Sequence, residues 1–278
     1  MTGTAPSVLM RVLRQAGLLA VLVFAAGPLL WMALSSFKPA TDLFTSPPSL
    51  VPKSFTGHWY VSVWTASDAP LWFFNSFTVA GATTLLNAGI GTLAAHGISR
   101  FQYPGRRASL GLLMLGYTFP VILLLIPLYL LLESLHLLGT LAGVILAHLV
   151  MTLPFSIWLM RSFILAIPRE LEQAATIDGC SEWGAFLRVT LPLARVGLVA
   201  TSLFAFVLSW NEYLLASVIS GGGTRTLPVG IAGFISAYDI HWGEIMALGT
   251  LVTVPIVVGF GVVQSYFEKG LLAGGIKG

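Results

Sequence analysis

Six apolar runs, each long enough to cross a bilayer, alternate with more polar segments along the 278 residues. A helix needs about 20 mostly apolar residues to span the hydrocarbon core. This pattern predicts an all-α integral membrane protein with six transmembrane helices. We expect an N-terminal part, residues 1–70, with the first helix and the loop after it, and a core of residues 71–278. The six runs cover residues 13–34, 71–98, 110–132, 141–163, 196–218 and 245–267.

The first apolar run begins as a secretory signal peptide does, with Arg11 and Arg14 just before it. However, the run continues through Trp31 to Leu34 without a clean small-residue cleavage site. We therefore expect an uncleaved first helix rather than a leader.

The composition excludes most soluble functions. Hydrophobic residues make up 56% of the chain, charged residues 9%, and the mean hydropathy is +0.88, whereas soluble domains are about 25% charged. The pI of about 9.2 does not indicate nucleic-acid binding, because the basic residues are scattered and form no basic run. Lipid is therefore the solvent that we expect for most of the surface.

Catalytic and metal chemistry have little support in the sequence. Cys180 is the single cysteine, which rules out an intrachain disulfide and a cysteine-based metal cluster. No Lys follows a Gly, so a Walker A phosphate loop ending in Gly-Lys is absent, and there is no H-E-x-x-H pair. We expect no catalytic residue, no metal and no cofactor in this chain, and no hydrolysis of ATP by it through that route.

Lys and Arg in the connecting segments predict the orientation. With the N-terminus inside, only Lys38, Lys53 and Arg225 fall on the outer side. Both termini are therefore expected in the cytoplasm. The cytoplasmic side collects Arg11, Arg14, Arg100, Arg106, Arg107, Arg161, Arg169, Arg188, Arg195, Lys269 and Lys277.

Two predicted outer loops are long enough to carry a function. The loop over residues 37–70 holds Pro39, Pro47, Pro48 and Pro52 and then an aromatic cluster. The cluster fits either an interfacial aromatic belt or a docking surface for an external partner. Residues 220–244 begin with a glycine run that we expect to be flexible. The candidate contact residues for an extracytoplasmic partner are Gly221, Gly222, Gly223, Thr224 and Arg225.

Polar side chains inside the spans are candidates for a translocation pathway, because they are costly in lipid. His148 is better explained as a buried residue with a partner than as a ligand. Asn211 and Glu212, in the sequence "WNEYLLA", are better explained by a cavity. The predicted pathway residues are Asn75, Asn211, Glu212 and Tyr213.

The most polar stretch in an apolar context is "ELEQAATIDGCSEWGAFLRVTLPL", between spans four and five. Pro168 suits the first turn of a helix, and Gly179 suits a left-handed helix end. Ser181 is placed to cap a second helix over residues 182–190, which Leu191 and Pro192 would close. This predicts a rigid cytoplasmic helix–turn–helix whose acidic start does not fit a helix lying on lipid headgroups.

This stretch resembles the EAA loop of ABC-importer permeases, here about residues 166–193. The motifs "PLLWMALSSFKP", "RFQYPGRR", "WNEYLLA", "TLPVGIAGF", "WGEIMA" and "GLLAGGIKG" extend the resemblance over nearly the whole chain, to the second permease subunit of the carbohydrate-uptake branch. The resemblance implies that the loop docks into a groove of an ATP-binding subunit. The implied coupling residues are Glu170, Leu171, Glu172, Gln173, Ala174, Ala175, Asp178, Gly179, Leu191 and Pro192.

The resemblance also implies an assembly in a bacterial inner membrane. Its partners would be a homologous permease, two ATP-binding subunits, an extracytoplasmic solute-binding protein and a sugar-like solute, with lipid around them. One position departs from the family, because its leading glutamate falls on Gln173, which offers only a neutral hydrogen bond. A stand-alone secondary transporter or channel is the alternative, but no inverted repeat is visible and the polar loop would have no purpose.

Overall fold

The computed structural model describes residues 8–236 and 239–274, with side chains for residues 9–236 and 239–264. Lys277 and the end of the "GLLAGGIKG" motif lie outside the described residues. The longer helices are α1 (Val8–Ser35), α4 (Ala69–Leu86), α5 (Thr92–Arg100), α6 (Arg106–Thr118), α7 (Val121–Ser134), α8 (Leu141–Leu165), α9 (Arg169–Ile177), α12 (Arg195–Asn211) and α15 (Trp242–Gly274).

Shorter elements connect them. These are α2 (Ala40–Leu43), α3 (His58–Thr65), α10 (Glu182–Ala185), α11 (Leu191–Leu193), α13 (Leu214–Ile219) and α14 (Leu227–Ala232), with π-helical turns at Asn87–Gly91 and Phe186–Thr190 and a 3-10 turn at Gly222–Thr224. The π turn at Asn87–Gly91 keeps α4 and α5 in one continuous apolar element.

In the described ranges, four helical segments are long and apolar enough to cross a membrane, and two bent helix pairs raise the number to six if each is one span. The third and fifth apolar runs are each interrupted in the structure, a feature that the sequence prediction did not include. Residues 110–132 contain a 103° bend between α6 and α7, because Pro120 forces Phe119 out of helical geometry (ψ 131°). The fifth run is interrupted after Asn211, where Glu212 is extended (ψ 124°).

The chain divides into two compact units: residues up to Asp68 with Ile231–Val254, and Ala69–Gly230 with the residues from Pro255. The first division lies near the expected boundary at residue 70. The first unit also takes in residues 231–254, which sequence reasoning assigned to the core.

In the first unit, two of the loop aromatics pack internally. The Trp59 indole donates to the Lys38 carbonyl at 2.7 Å, and the Tyr60 hydroxyl lies 2.7 Å from Ser36 Oγ. Phe55 and Trp64 of the same aromatic cluster are exposed. Packing within the unit therefore explains Trp59 and Tyr60. The interfacial-belt and docking interpretations apply to the exposed surfaces of Phe55 and Trp64.

Among its described residues, the second unit has an apolar core at each of two places. One packs α4, α7, α8 and α13 around Val79, Leu132, Val144 and Leu215. The other packs the ends of α5 and α8 around Ile98, Met160, Ile164 and Ala194. The first core adjoins residues 220–227, which we call the outer segment, through α13, and the second adjoins residues 168–193, the inner segment. The two segments are named for the sides on which the sequence predicts them.

Candidate functional site

The inner segment begins with α9, whose end is fixed by a glycine. Pro168 precedes α9, and Glu170 and Glu172 lie in its first turn, where the helix dipole favours acids. Gly179 has φ +93°, and the amides of Gly179 and Cys180 return to the carbonyls of Thr176 (3.1 Å) and Ala175 (2.9 Å). This is the Schellman arrangement, so the predicted left-handed glycine end is confirmed.

The second half of the inner segment is longer than the sequence indicates. Ser181 caps α10 by accepting from the Gly184 amide at 3.1 Å, as predicted. The helix does not close at Leu191 and Pro192, however, since the π turn leads into α11, which ends at Leu193. Pro192 fits there because it occupies the beginning of α11, where its missing N–H costs no hydrogen bond. The chain then bends by 74° into α12.

A mostly buried ion pair holds the inner segment to the transmembrane helices. The Arg100 Nε donates to Glu172 Oε1 at 2.9 Å, and the two side chains are only 7% and 16% exposed. The Thr190 hydroxyl donates to the same carboxylate oxygen at 2.5 Å. Glu172 thus ties α9 to the end of α5 and to the π turn, which gives the segment a fixed position on the subunit.

Arginines also join the helix ends at this site. Arg100 Nη2 donates to the carbonyls of Ile164 (3.1 Å) and Ile167 (2.9 Å), past the end of α8. Arg169 Nη2 donates to the Ser99 carbonyl at 2.8 Å. These donors satisfy carbonyls that a helix end leaves without intrahelical partners, and they complement the negative end of the helix dipole.

The opposite face of the inner segment is exposed and partly apolar. Ile177 is 86% exposed and Trp183 56%. A separate cavity of about 250 Å³ lies on the anchored side, with Arg100, Glu172 and Gln173 in its wall. Of the predicted coupling residues, Glu170, Leu171, Gln173, Ala174, Asp178, Gly179 and Pro192 are exposed, whereas Glu172, Ala175 and Leu191 are half-buried.

The outer segment is held by neutral groups. The buried Asn75 amide donates to the carbonyls of Gly223 (3.1 Å) and Arg225 (2.9 Å). The Thr224 hydroxyl donates to the Gly139 carbonyl at 3.1 Å, and the backbone of Gly221 approaches Gly139 so closely that a Cβ would lie 3.2 Å from its Cα. The glycine run that we expected to be flexible is therefore a supported 3-10 turn, because its backbone polar groups have partners.

Glu212, one of the predicted pathway residues, caps a helix. Its two carboxylate oxygens accept from the amides of Leu215 (2.8 Å) and Ala216 (2.9 Å), at the start of α13. His148 Nε2 lies 3.2 Å from the carboxylate, and His148 Nδ1 lies 2.7 Å from Ser209 Oγ. The prediction that His148 is a buried, partnered residue is confirmed.

The four predicted pathway residues therefore have different environments. Asn75 and Glu212 are buried and bonded within the subunit, whereas Asn211 and Tyr213 are exposed. Asn211 donates only to the Val207 carbonyl of its own helix, at 2.8 Å. Within the described ranges, no group of three or more His, Cys, Asp or Glu residues could hold a metal ion.

Residues 87–272 match the family model described as "Binding-protein-dependent transport system inner membrane component". The chain belongs to this family. Among its curated relatives is the sulfoquinovosyl glycerol transport system permease SmoH of Agrobacterium fabrum, 36% identical over 93% of this permease and 91% of SmoH. The diacetylchitobiose uptake permease NgcG of Streptomyces coelicolor is 34% identical over 85% of this permease and 79% of NgcG.

A solved structure shares the fold of this permease. The crystal structure of a bacterial ABC transporter that imports the acidic polysaccharide alginate superposes with a TM-score of 0.81 at 19% identity, over 96% of this chain and all of that one. The chain is thus a transmembrane subunit of a binding-protein-dependent importer in the inner membrane, as the sequence predicted.

Sequence reasoning missed the residues that anchor the two segments. Arg100 lies at the start of the quoted "RFQYPGRR" motif, but nothing in the sequence pairs it with Glu172, 72 positions away. Thr190 and Gly139 gave no signal at all. One pattern could have suggested the ion pair. It is a cation at the end of one span of the permease together with an acid in the next cytoplasmic loop.

Proposed function

We propose that this chain forms half of the translocation pathway of an ATP-driven importer for a sugar or sugar-like solute, and that its inner segment couples the pathway to ATP-binding subunits. The observation that carries the proposal is the Arg100–Glu172–Thr190 anchor, which fixes a short helix with its opposite face exposed. Movement of a docked ATPase can be transmitted to the spans only if the segment between them is rigid. The anchor supplies that stiffness.

The exposed face supplies the contact. Ile177, Trp183 and Leu171 are large apolar side chains that point away from the apolar cores of the unit. A partner with an apolar groove would bury them, and each fully buried side chain of this size contributes about 1.5–3 kcal/mol. Since this chain carries no phosphate loop, hydrolysis of ATP in the assembled complex is assigned to the ATP-binding subunits.

The substrate class rests on the relatives. SmoH and NgcG carry names that specify a glycosyl glycerol and an acetylated disaccharide as cargo. Both match this chain over most of its length, which supports a carbohydrate-like solute delivered by an extracytoplasmic binding protein. We propose that the outer segment, at residues 221–225, contacts that binding protein, and that the exposed Asn211 and Tyr213 are the pathway residues that the solute meets.

The coupling proposal is tested by Glu172→Gln in the full complex. The amide cannot neutralise Arg100, and removing one partner of a buried ion pair costs about 3–5 kcal/mol. We expect normal membrane levels of the chain, but loss of uptake and of stimulation of ATP hydrolysis by the loaded binding protein. Glu170→Gln is the matched comparison, since it removes an exposed acid of the same helix turn and leaves the Arg100–Glu172–Thr190 anchor intact; any loss it causes measures direct contact with the ATPase rather than anchoring.

Two results would contradict the proposal. Uptake by Glu172→Gln at the level of Glu170→Gln would mean that the anchor is not needed for coupling. Robust hydrolysis of ATP by the purified chain alone would contradict the assignment of ATP hydrolysis to separate ATP-binding subunits. The solute itself is identified by calorimetry of the cognate binding protein against a sugar panel.

A further inference from the structure

A cavity of about 680 Å³ opens beside the turn between α5 and α6, away from the candidate coupling site. Its wall includes Tyr103 from that turn, Arg106, Arg107 and Leu110 from the start of α6, and Arg161 from the last part of α8. None of the lining residues is acidic. Three guanidinium groups therefore share one cavity on the side of the membrane where the sequence predicts the cytoplasm.

No described side chain neutralises the positive charge of this cavity. In residues 8–236 and 239–264, none of the three arginines forms an ion pair. Arg106 uses Nε on the Ile98 carbonyl at 2.7 Å, which fixes its position at the rim. The Arg161 Nε is buried and has no hydrogen-bond partner. A buried donor without a partner is costly, so a ligand that accepts from it would be stabilised.

The beginning of α6 adds to the same field. Its N-cap residue, Gly105, has no side chain to accept from the first turn, and that turn contains no acid. Free N–H groups and the positive end of a 13-residue helix favour an anion. Arginines, and no capping carboxylate, lie in the first turn of α6. The beginning of this helix therefore fits a negatively charged ligand that comes from outside the chain.

We propose that this cavity binds the phosphate group of an anionic phospholipid. Arginine is suited to phosphate because its planar guanidinium donates two parallel hydrogen bonds. A lipid is the source, because Leu112 and Leu115, which follow on α6, are 68% and 65% exposed. Acyl chains can lie along them while the head group occupies the cavity. Basic pockets between transmembrane helices on the cytoplasmic side bind anionic head groups in this way.

The test uses the full chain, purified in its complex in mild detergent. Retained phosphatidylglycerol and phosphatidylcholine are counted by native mass spectrometry for the wild type and for the double variant Arg107→Gln/Arg161→Gln. Each basic residue near an anionic head group changes affinity by about fivefold. We expect the wild type to retain phosphatidylglycerol in preference to phosphatidylcholine, and the double variant to bind it about 25-fold more weakly.

Two further variants separate the site from general charge and from misfolding. Arg11→Gln/Arg14→Gln removes two exposed arginines of α1 outside the cavity and should retain the lipid. Arg161→Lys keeps the charge and should retain part of the binding. Equal loss of lipid in the α1 control would overturn the proposal, because nonspecific attraction would then be sufficient.

Competition identifies the source of the phosphate. Millimolar sodium phosphate or glycerophosphoglycerol should not displace the lipid, because neither has acyl chains to place along α6. Displacement by sodium phosphate would overturn the lipid proposal in favour of free phosphate. Retention of lipid by the double variant, together with loss of its ATP-binding subunit, would show that the arginines contact protein and would also overturn it.

Discussion

The inner and outer segments of the second unit are both polar and both interrupt the apolar spans, but they are held by different chemistry. The inner segment is fixed through charged side chains, with Arg100, Glu172 and Arg169 as its main contacts. The outer segment is fixed through neutral donors to backbone carbonyls, with Asn75 and Thr224, and Glu212 caps the helix before it.

The two kinds of contact suit the different roles that we propose for the two segments. The ion pair holds one side of the inner segment to the transmembrane helices. The other side of the segment stays exposed and can contact a partner. Backbone-directed bonds satisfy a turn that has almost no side chains of its own. We therefore expect substitutions in the outer segment to lower the yield of the assembled complex, and substitutions in the inner segment to impair coupling while the chain still reaches normal membrane levels.

Glu212→Ala has the largest expected effect on stability. It leaves the Leu215 and Ala216 amides and His148 without their acceptor, and each buried orphaned group costs about 1–3 kcal/mol. We expect a lower thermal unfolding temperature and a lower complex yield. Asn211→Ala, an exposed neighbour, is the control and should change stability by less than about 0.5 kcal/mol. Reduced uptake by Glu212→Ala with a full yield of the complex would instead assign Glu212 to the pathway.

Asn75→Ala should release the outer turn. Two carbonyls, of Gly223 and Arg225, lose their donor, at a cost of about 2 kcal/mol. Limited trypsin digestion measures the result, because Arg225 is exposed and should be cleaved faster in the variant. Cleavage at Lys53 is the internal control and should not change. An unchanged rate at Arg225 would mean that the other contacts of the turn are sufficient.

Gly179→Val tests the inner segment without touching the anchor. Nothing lies within 4 Å of the position that a Cβ would take, so the effect comes from the backbone alone. A left-handed conformation costs a side-chain-bearing residue about 1–2 kcal/mol, and β-branched residues tolerate it least. We expect normal insertion with weak ATPase co-purification and loss of uptake.

Gly179→Asn is the matched variant, because asparagine tolerates the left-handed region. It should keep partial uptake and partial ATPase binding. Full uptake by Gly179→Val would contradict the role of this turn in coupling. Equal loss of uptake in both variants would indicate that any side chain at position 179 impairs coupling, whatever its tolerance of a positive φ angle.

Gln173→Glu has the smallest expected effect. The residue lies in the wall of a cavity that holds Arg100 and Arg169 and also Glu172 and Glu182, so the charges around a new carboxylate are balanced and any gain must come from a basic group of the partner. Charge-assisted hydrogen bonds are about twice as strong as neutral ones. We expect the variant to be tolerated or to bind the ATPase modestly tighter in a titrated pull-down. Abolished assembly would mean that the partner surface is not basic.

Sequence reasoning was successful where the physical signal is local. The apolar runs follow from the thickness of a bilayer. Gly179 and Ser181 mark a helix end and a helix start because those positions demand a left-handed residue and a hydroxyl cap. Pro168 was predicted in the first turn, and it lies one position earlier, as the N-cap residue of α9. These features depend on a few neighbouring residues, so the one-dimensional pattern is sufficient.

Only the tertiary structure decided which polar groups meet. Glu172 and Arg100 are 72 positions apart, and Asn75 lies 150 positions from Arg225. The sequence likewise could not show that Glu212 caps α13, since an acid in an apolar run has the same sequence signature whether it meets solute or caps a helix. The sequence by itself determined the membrane class and the helix ends; the partners of the buried polar groups were decided by packing, because a polar side chain in an apolar environment must find a donor or acceptor wherever the fold brings one.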